Sequence, residues 1–171
     1  MPLILKRFSP RIIHMEDVDG FWMDCPALLK CDKECVEEIP ENKVLMLHTS
    51  ILSPDLEFLK DMEHLFQLIT VHATSGEEFL KNLPMDREKL VSITLPAILN
   101  QKDMKSAGIT LPPDSITIKQ VAISVKAGIR KAIIRPEYAD KVKRTFGRDF
   151  KTFVFQEGTY SSTPVDFILI K

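Results

Sequence analysis

Three residues able to bind a metal or move a proton recur at a fixed interval in this 171-residue chain: Asp24, His48 and His72, each 24 positions after the last. Two imidazoles and a carboxylate make a usable ligand set for a transition metal, and imidazoles also titrate near neutral pH. Each of the three ends a short alternating apolar segment, Phe21/Met23, Leu45/Leu47 and Ile69/Val71, and the series continues through Ile93/Leu95 and Ile116/Ile118. Apolar residues two apart share one face of a strand, so the residues between them share the other. Successive strands would then build two columns on that second face. Trp22, Met46, Thr70, Thr94 and Thr117 form one, and Asp24, His48, His72, Pro96 and Lys119 the next. Side chains on adjacent strands stand about 5 Å apart and those two strands away about 10 Å, so only neighbours could share an ion. No metal is therefore expected, and the two histidines read as exposed side chains without a ligand; His14 and His64 have no partner in the sequence at all.

Other chemistry is sparse. There is no G-x-G-x-x-G, G-x-x-x-x-G-K-[ST], H-E-x-x-H or G-x-S-x-G, and the six glycines are spread singly. Cys25, Cys31 and Cys35 follow a C-x5-C-x3-C spacing that matches no common zinc pattern. Cys31 and Cys35 also share an apolar helical face with Leu28 and Ile39, so buried free thiols are expected. No catalytic residue and no cofactor are assigned, and the chain reads as non-enzymatic.

The segments that would position these columns carry helix signals between the strands. Ser53, Pro54 and Asp55 form a cap, a first-turn proline and an acid ahead of Leu56, Leu59, Met62 and Phe66. Ser75 with Glu78 makes a capping box, Pro96 opens a further helix and Gly108 closes it. The expected fold class is α/β: strand–helix units of about 24 residues, in a short solenoid or a small parallel sheet. Beyond Ile118 the period is lost. There Val121 to Val125 alternates, Ile129 to Ile134 is apolar, and Pro136 starts a helix bearing Tyr138, Val142 and Phe146 and ending at Gly147. Phe153–Phe155 and Phe167–Ile170, joined by the turn-rich Gly158–Pro164, read as an antiparallel pair. One domain over residues 1–171 is expected, with a repeat part over 1–118 and a basic α+β cap over 119–171.

Phe66-x-x-Ile69-x-Val71-x-x-Thr74 and Leu90-x-x-Ile93-x-Leu95-x-x-Ile98 resemble the L-x-x-L-x-L-x-x-N/C core of leucine-rich repeats. The unit at Leu45 has Asn42 in place of the leading leucine, and no unit ends in Asn or Cys. Over residues 21–118 the resemblance implies a binding scaffold like the substrate-recognition parts of F-box-type ubiquitin-ligase adaptors. The second face would then be an open concave surface, with Trp22, Asp24, Met46, His48, Thr70, His72, Thr94 and Lys119 as its partner-binding strip.

Charge is unevenly distributed. Residues 1–114 carry 12 basic and 19 acidic side chains, residues 115–151 carry 10 and 3, and the whole chain sums to −1. Lys126, Arg130, Lys131, Arg135, Lys141, Lys143, Arg144 and Arg148 therefore offer a basic surface for an acidic partner or nucleic acid, unless they only balance the acidic half. The N-terminus lacks a signal-peptide layout and no stretch is long and apolar enough for a bilayer, so a cytoplasmic or nuclear protein with no membrane partner is expected. The function expected from these features is a protein–protein interaction module, a subunit or adaptor of a larger intracellular complex. Nucleic-acid binding through residues 115–151 is the first alternative and a motif-poor enzyme the next.

Overall fold

Eight short strands form a closed ring in chain order: β1 (Leu3–Arg7), β2 (Gly20–Asp24), β3 (Val44–His48), β4 (Leu68–His72), β5 (Leu90–Ile93), β6 (Lys131–Ile133), β7 (Lys151–Phe155) and β8 (Phe167–Ile170). The computed structural model describes residues 1–9, 17–24, 36, 38–49, 56–156 and 165–170. Every strand runs parallel to the next, and β8 pairs with β1 at Leu3↔Phe167 through Lys6↔Ile170. Parallel strands need crossovers. Among the described residues these contain α1 (Leu56–Met62), α2 (Glu77–Lys81), α3 (Leu95–Ile98), α4 (Gln101–Ser106), α5 (Pro113–Lys126) and α6 (Ala139–Phe146). This is a closed eight-stranded parallel barrel of the TIM-barrel type within 171 residues, short beside the roughly 250 typical of the architecture.

Alternation along each strand sorts its side chains between the barrel interior and two outer cores. Inward-facing Leu5, Met46, Leu68, Val91, Ile93, Ile133, Phe153 and Leu169 fill the barrel. Near its N-terminal end Phe153 stacks on Phe167 with ring centroids 4.1 Å apart. Outward-facing Phe21, Met23, Leu45, Leu47, Ile69 and Val71 make a second core with Leu80 and Ile129. On the opposite side Ala132, Ile134, Val154 and Ile168 pack with Val121, Val142 and Phe150. At Gly20 a Cβ would lie 2.0 Å from the Val44 carbonyl oxygen, so only glycine lets β2 approach β3 this closely.

Closure overturns the expected solenoid or open sheet. All five residues of β4 are buried, so the strand has no open concave face. The supposed C-terminal cap is the rest of the ring: β6, β7 and β8 complete it, and β7 and β8 are parallel, not antiparallel. The leucine-rich-repeat resemblance fails for the same reason, since it rests on strand spacing, which a barrel shares. Ile116 and Ile118 lie in α5, and Leu95 in α3, not in strands. The expected helix from Pro96 to Gly108 is broken into α3 and α4, the latter capped by the Asn100 side chain, which accepts from the Asp103 N–H. Helix α2 has Gly76, whose φ of 92° suits glycine, at its N-cap position, while Ser75 ends the preceding 3-10 turn Ala73–Ser75. Cys25, Cys31, Cys35, the Ser53 cap and the Gly158–Pro164 turn lie outside the described residues. No helix among the described residues is long and apolar enough to cross a membrane.

Candidate active site

The C-terminal ends of barrel strands are where the following loops converge, and barrels of this architecture carry their chemistry there. Here that mouth receives Arg7 from β1, Asp24 from β2, His48 from β3, His72 from β4 and Phe155 from β7. Register places Arg7 opposite Trp22 and Asp24 opposite His48, so a cation, a carboxylate and an imidazole stand on three consecutive strands. Arg7 Nη2 donates to Asp24 Oδ2 at 2.7 Å, and its guanidinium lies 5.6 Å from the centroid of the Trp22 ring. The Trp22 indole N–H donates to the Ile170 carbonyl at 2.8 Å, tying β2 to β8. Trp22, His48 and Phe155 meet edge-on in a triangle with centroid separations of 5.7, 5.9 and 5.4 Å, which forms the floor of the mouth.

Two threonines support the histidines. The Thr49 N–H donates to Thr70 Oγ1 at 2.7 Å, and the Thr49 hydroxyl donates to the Thr70 carbonyl at 2.6 Å. Thr70 Oγ1 also lies 3.4 Å from His48 Nδ1 and 3.3 Å from Thr49 Oγ1. His72 Nε2 sits 3.2 Å from the Thr49 carbonyl; a carbonyl only accepts, so His72 carries its proton on Nε2. Burial lowers the His48 pKa to about 4; His72 and Arg7 push the same way, and Asp24 opposes them. Burial also lowers His72, against the hydrogen bond to Thr49. Both imidazoles are therefore neutral at pH 7. Arg135, just past β6, donates from Nε to the Pro96 carbonyl at 2.7 Å and pairs with Glu137 at 3.5 Å, fastening β6 to α3.

The expected partner-binding strip is thus divided. Trp22, Met46, Thr70, His72 and Thr94 are buried, with Trp22, Met46 and Thr70 inside the barrel. Asp24 and His48 reach its mouth, and Lys119 is exposed on the outer helix α5. An open recognition face does not exist because the sheet closes on itself. The two-residue period puts Trp22, Asp24, His48, Thr70 and His72 on one side of the sheet, which in the barrel is the inward side and its mouth, and it does not include Arg7, Thr49 and Phe155. Recognising Leu3-x-Leu5-x-Arg7 as an alternating strand would have placed Arg7 on that surface. Among the described residues no group of three His, Cys, Asp or Glu side chains could hold a metal ion.

The basic residues are dispersed around the barrel and mostly paired. Lys126 meets Glu77 at 3.6 Å, Arg130 meets Asp149 at 3.0 Å, Lys131 meets Glu88 at 3.3 Å and Lys141 meets Asp114 at 2.6 Å. Lys143 meets Asp166 at 2.8 Å, and Arg144 pairs with Asp140 one helical turn back. Exposed Arg148 has no ion pair among the described residues.

No family model matches the chain. Among curated proteins, the orotidine 5'-phosphate decarboxylase of Geotalea daltonii is 26% identical over 93 residues, covering 49% of this chain and 39% of that protein. The match therefore spans about two fifths of the relative's length. The crystal structure of orotidine 5'-phosphate decarboxylase from Lactobacillus acidophilus is similar with a TM-score of 0.77 at 15% identity, over 99% of this chain and 89% of that one. An uncharacterized conserved protein from Geobacillus kaustophilus gives 0.79 at 13%, over 99% and 90%. At such identities the structural likeness shows the fold alone. Relatives named as decarboxylases overturn the adaptor and scaffold reading, and with it the assignment as a non-enzyme.

Proposed function

We propose that this barrel is an enzyme of the decarboxylase type, acting on a small anionic substrate at the mouth formed by Arg7, Asp24 and His48. The observation that carries the reading is the convergence of these three residues, from consecutive strands, at the C-terminal end of the barrel. The names of the curated relatives support the reaction class. Loss of CO2 from a carboxylate leaves an electron pair on carbon, which must be stabilised and then take a proton. Arg7 suits the first need, since a guanidinium stays charged and presents several N–H donors, but it does not give up its proton. His48 is the titratable neighbour for the second. Trp22 and Phe155 supply apolar walls that exclude water.

Trp22 is the sole tryptophan of the chain and lies in the mouth, so its fluorescence reports occupancy. Orotidine 5'-phosphate, the substrate in the relatives' name, is the first probe. The expected result is quenching of Trp22 and release of CO2, with Arg7→Ala lowering turnover by about 100-fold or more. Binding without CO2 release would remove the decarboxylase assignment. No quenching and no turnover would remove the mouth as the site for this substrate.

A further inference from the structure

The ion pair at the mouth is lopsided. Arg7 has half of its side chain in solvent, at 50% exposure, while Asp24 retains 21%. Among the described residues, the Arg7 guanidinium makes one side-chain hydrogen bond, from Nη2 to Asp24. A guanidinium has five N–H donors in a planar fork shaped for oxyanions, so most of this fork is available to a ligand. Trp22 holds that fork from below, and the same indole meets His48 edge-on at 5.7 Å. The receptor and the imidazole therefore flank one ring.

We propose that Arg7 is the receptor for an oxyanion of the substrate, and that docking this oxyanion loads a solvent proton onto His48, creating the acid that the chemistry at the mouth uses. The inference rests on reading the mouth as the ligand site. Charge provides the coupling. His48 faces Arg7 from β1, Asp24 from β2 and His72 from β4, with Trp22 and Phe155 as apolar neighbours. In the free protein, burial first, then His72 and in smaller part the Arg7 cation hold its pKa at about 4, against Asp24. An oxyanion on Arg7 neutralises that cation and adds negative charge beside Asp24, and both changes favour the imidazolium.

The hydrogen bonds can accept the proton without leaving a group unsatisfied. Neutral His48 can take the Thr70 hydroxyl proton at Nδ1, over 3.4 Å. When Nδ1 gains its own proton the bond reverses: Thr70 Oγ1 accepts from it while still accepting the Thr49 N–H. The Thr70 proton turns to Thr49 Oγ1, 3.3 Å away. Thr49 Oγ1 can accept because its own proton already goes to the Thr70 carbonyl. The two threonines thus form a relay with two settings.

The oxyanion belongs to either a phosphate group or a carboxylate, and two probes that stay ionised across the working range separate them: sulfate for the tetrahedral group and trifluoroacetate for the planar one. Each is titrated against the whole chain between about pH 4.5 and 7.5, following Trp22 fluorescence and proton uptake in weak buffer. The expected result is that at least one probe binds more tightly as the pH falls within this range, by at most about tenfold per pH unit, with up to one proton taken up per site. His48→Gln should keep binding but lose both the pH dependence and the proton uptake. Arg7→Gln should abolish binding, and Arg7→Lys, which keeps the charge and loses the fork, should weaken it if the first variant does not fold. Binding without pH dependence or proton uptake, or a pH dependence that survives in His48→Gln, would overturn the coupling and leave the mouth as a ligand site. Failure of both anions to bind would overturn the coupling and the reading of the mouth together.

Discussion

A histidine kept neutral by its surroundings costs stability when it is forced to charge. His48 has a folded pKa of about 4 against an ordinary 6.5, so below 6.5 the unfolded chain binds a proton that the folded chain refuses. Its contribution is complete above pH 6.5 and is lost progressively as the pH falls toward 4, a total of roughly 3 kcal/mol. His72 is shifted in the same direction and steepens the loss. Urea unfolding of the ligand-free protein should show this slope, and His48→Gln should flatten it; an unchanged slope would mean that His48 is not the group being held neutral. The spacing of Asp24, His48 and His72 was legible in the sequence, and so was their sharing of one face. Their environment was not. Whether a residue on that face meets water or eight surrounding strands depends on closure, and no local pattern encodes closure.

Between elements, Asp166 is the clearest joint. Placed just before β8, it accepts from the Thr152 N–H at 2.9 Å and the Thr152 hydroxyl at 3.1 Å in β7, and meets Lys143 of α6 at 2.8 Å and Lys151 at 3.5 Å. Burial by itself would raise its carboxyl, but Lys143 and the Thr152 hydrogen bonds outweigh that and hold it below the usual range. Its stabilisation is therefore present above pH 4 and lost as the pH falls further. Asp166→Asn should cost about 2 kcal/mol at neutral pH and remove part of the acid unfolding limb, measurable by urea melts at pH 7 and pH 3. The strands β2, β3 and β4 could be read from apolar pairs because both flanking positions also follow the two-residue period. Helix α5 could not. Its Ile123 packs on one outer core while Ile118, Val121 and Val125 pack on the other, so apolar residues surround it and alternate much as they would in a strand. β6 was visible only as an apolar run, and at three residues it is too short for a period to show.

For the molecule as a whole, the opposite charges of the two halves meet in the fold. Lys126–Glu77, Lys131–Glu88 and Lys141–Asp114 each join the basic segment to the acidic one across helices and loops outside the barrel. These pairs are largely solvent-exposed, so each adds a few tenths of a kcal/mol at most and together they favour docking of the halves more than they hold them. The remaining constraint is the ladder between β1 and β8. It sets the first and last strands side by side and parallel, so Leu3 and Ile170 lie at opposite ends of the pair, roughly 10 Å apart along it, and it means that the cyclic order of strands, unlike the linear one, has no beginning. A circular permutant should therefore fold, with a linker long enough to run back along the barrel from the region after Ile170 to that before Leu3 and new termini in the exposed turn at Gly108–Thr110. The permutant is expected to keep the circular dichroism and the Trp22 emission of the parent, and a molten or red-shifted product would show that the native order is needed to close the ring. Nor does such a ring expose a strand edge to other molecules: all eight strands already have both neighbours, and a template for intermolecular β-pairing arises only when the ladder opens.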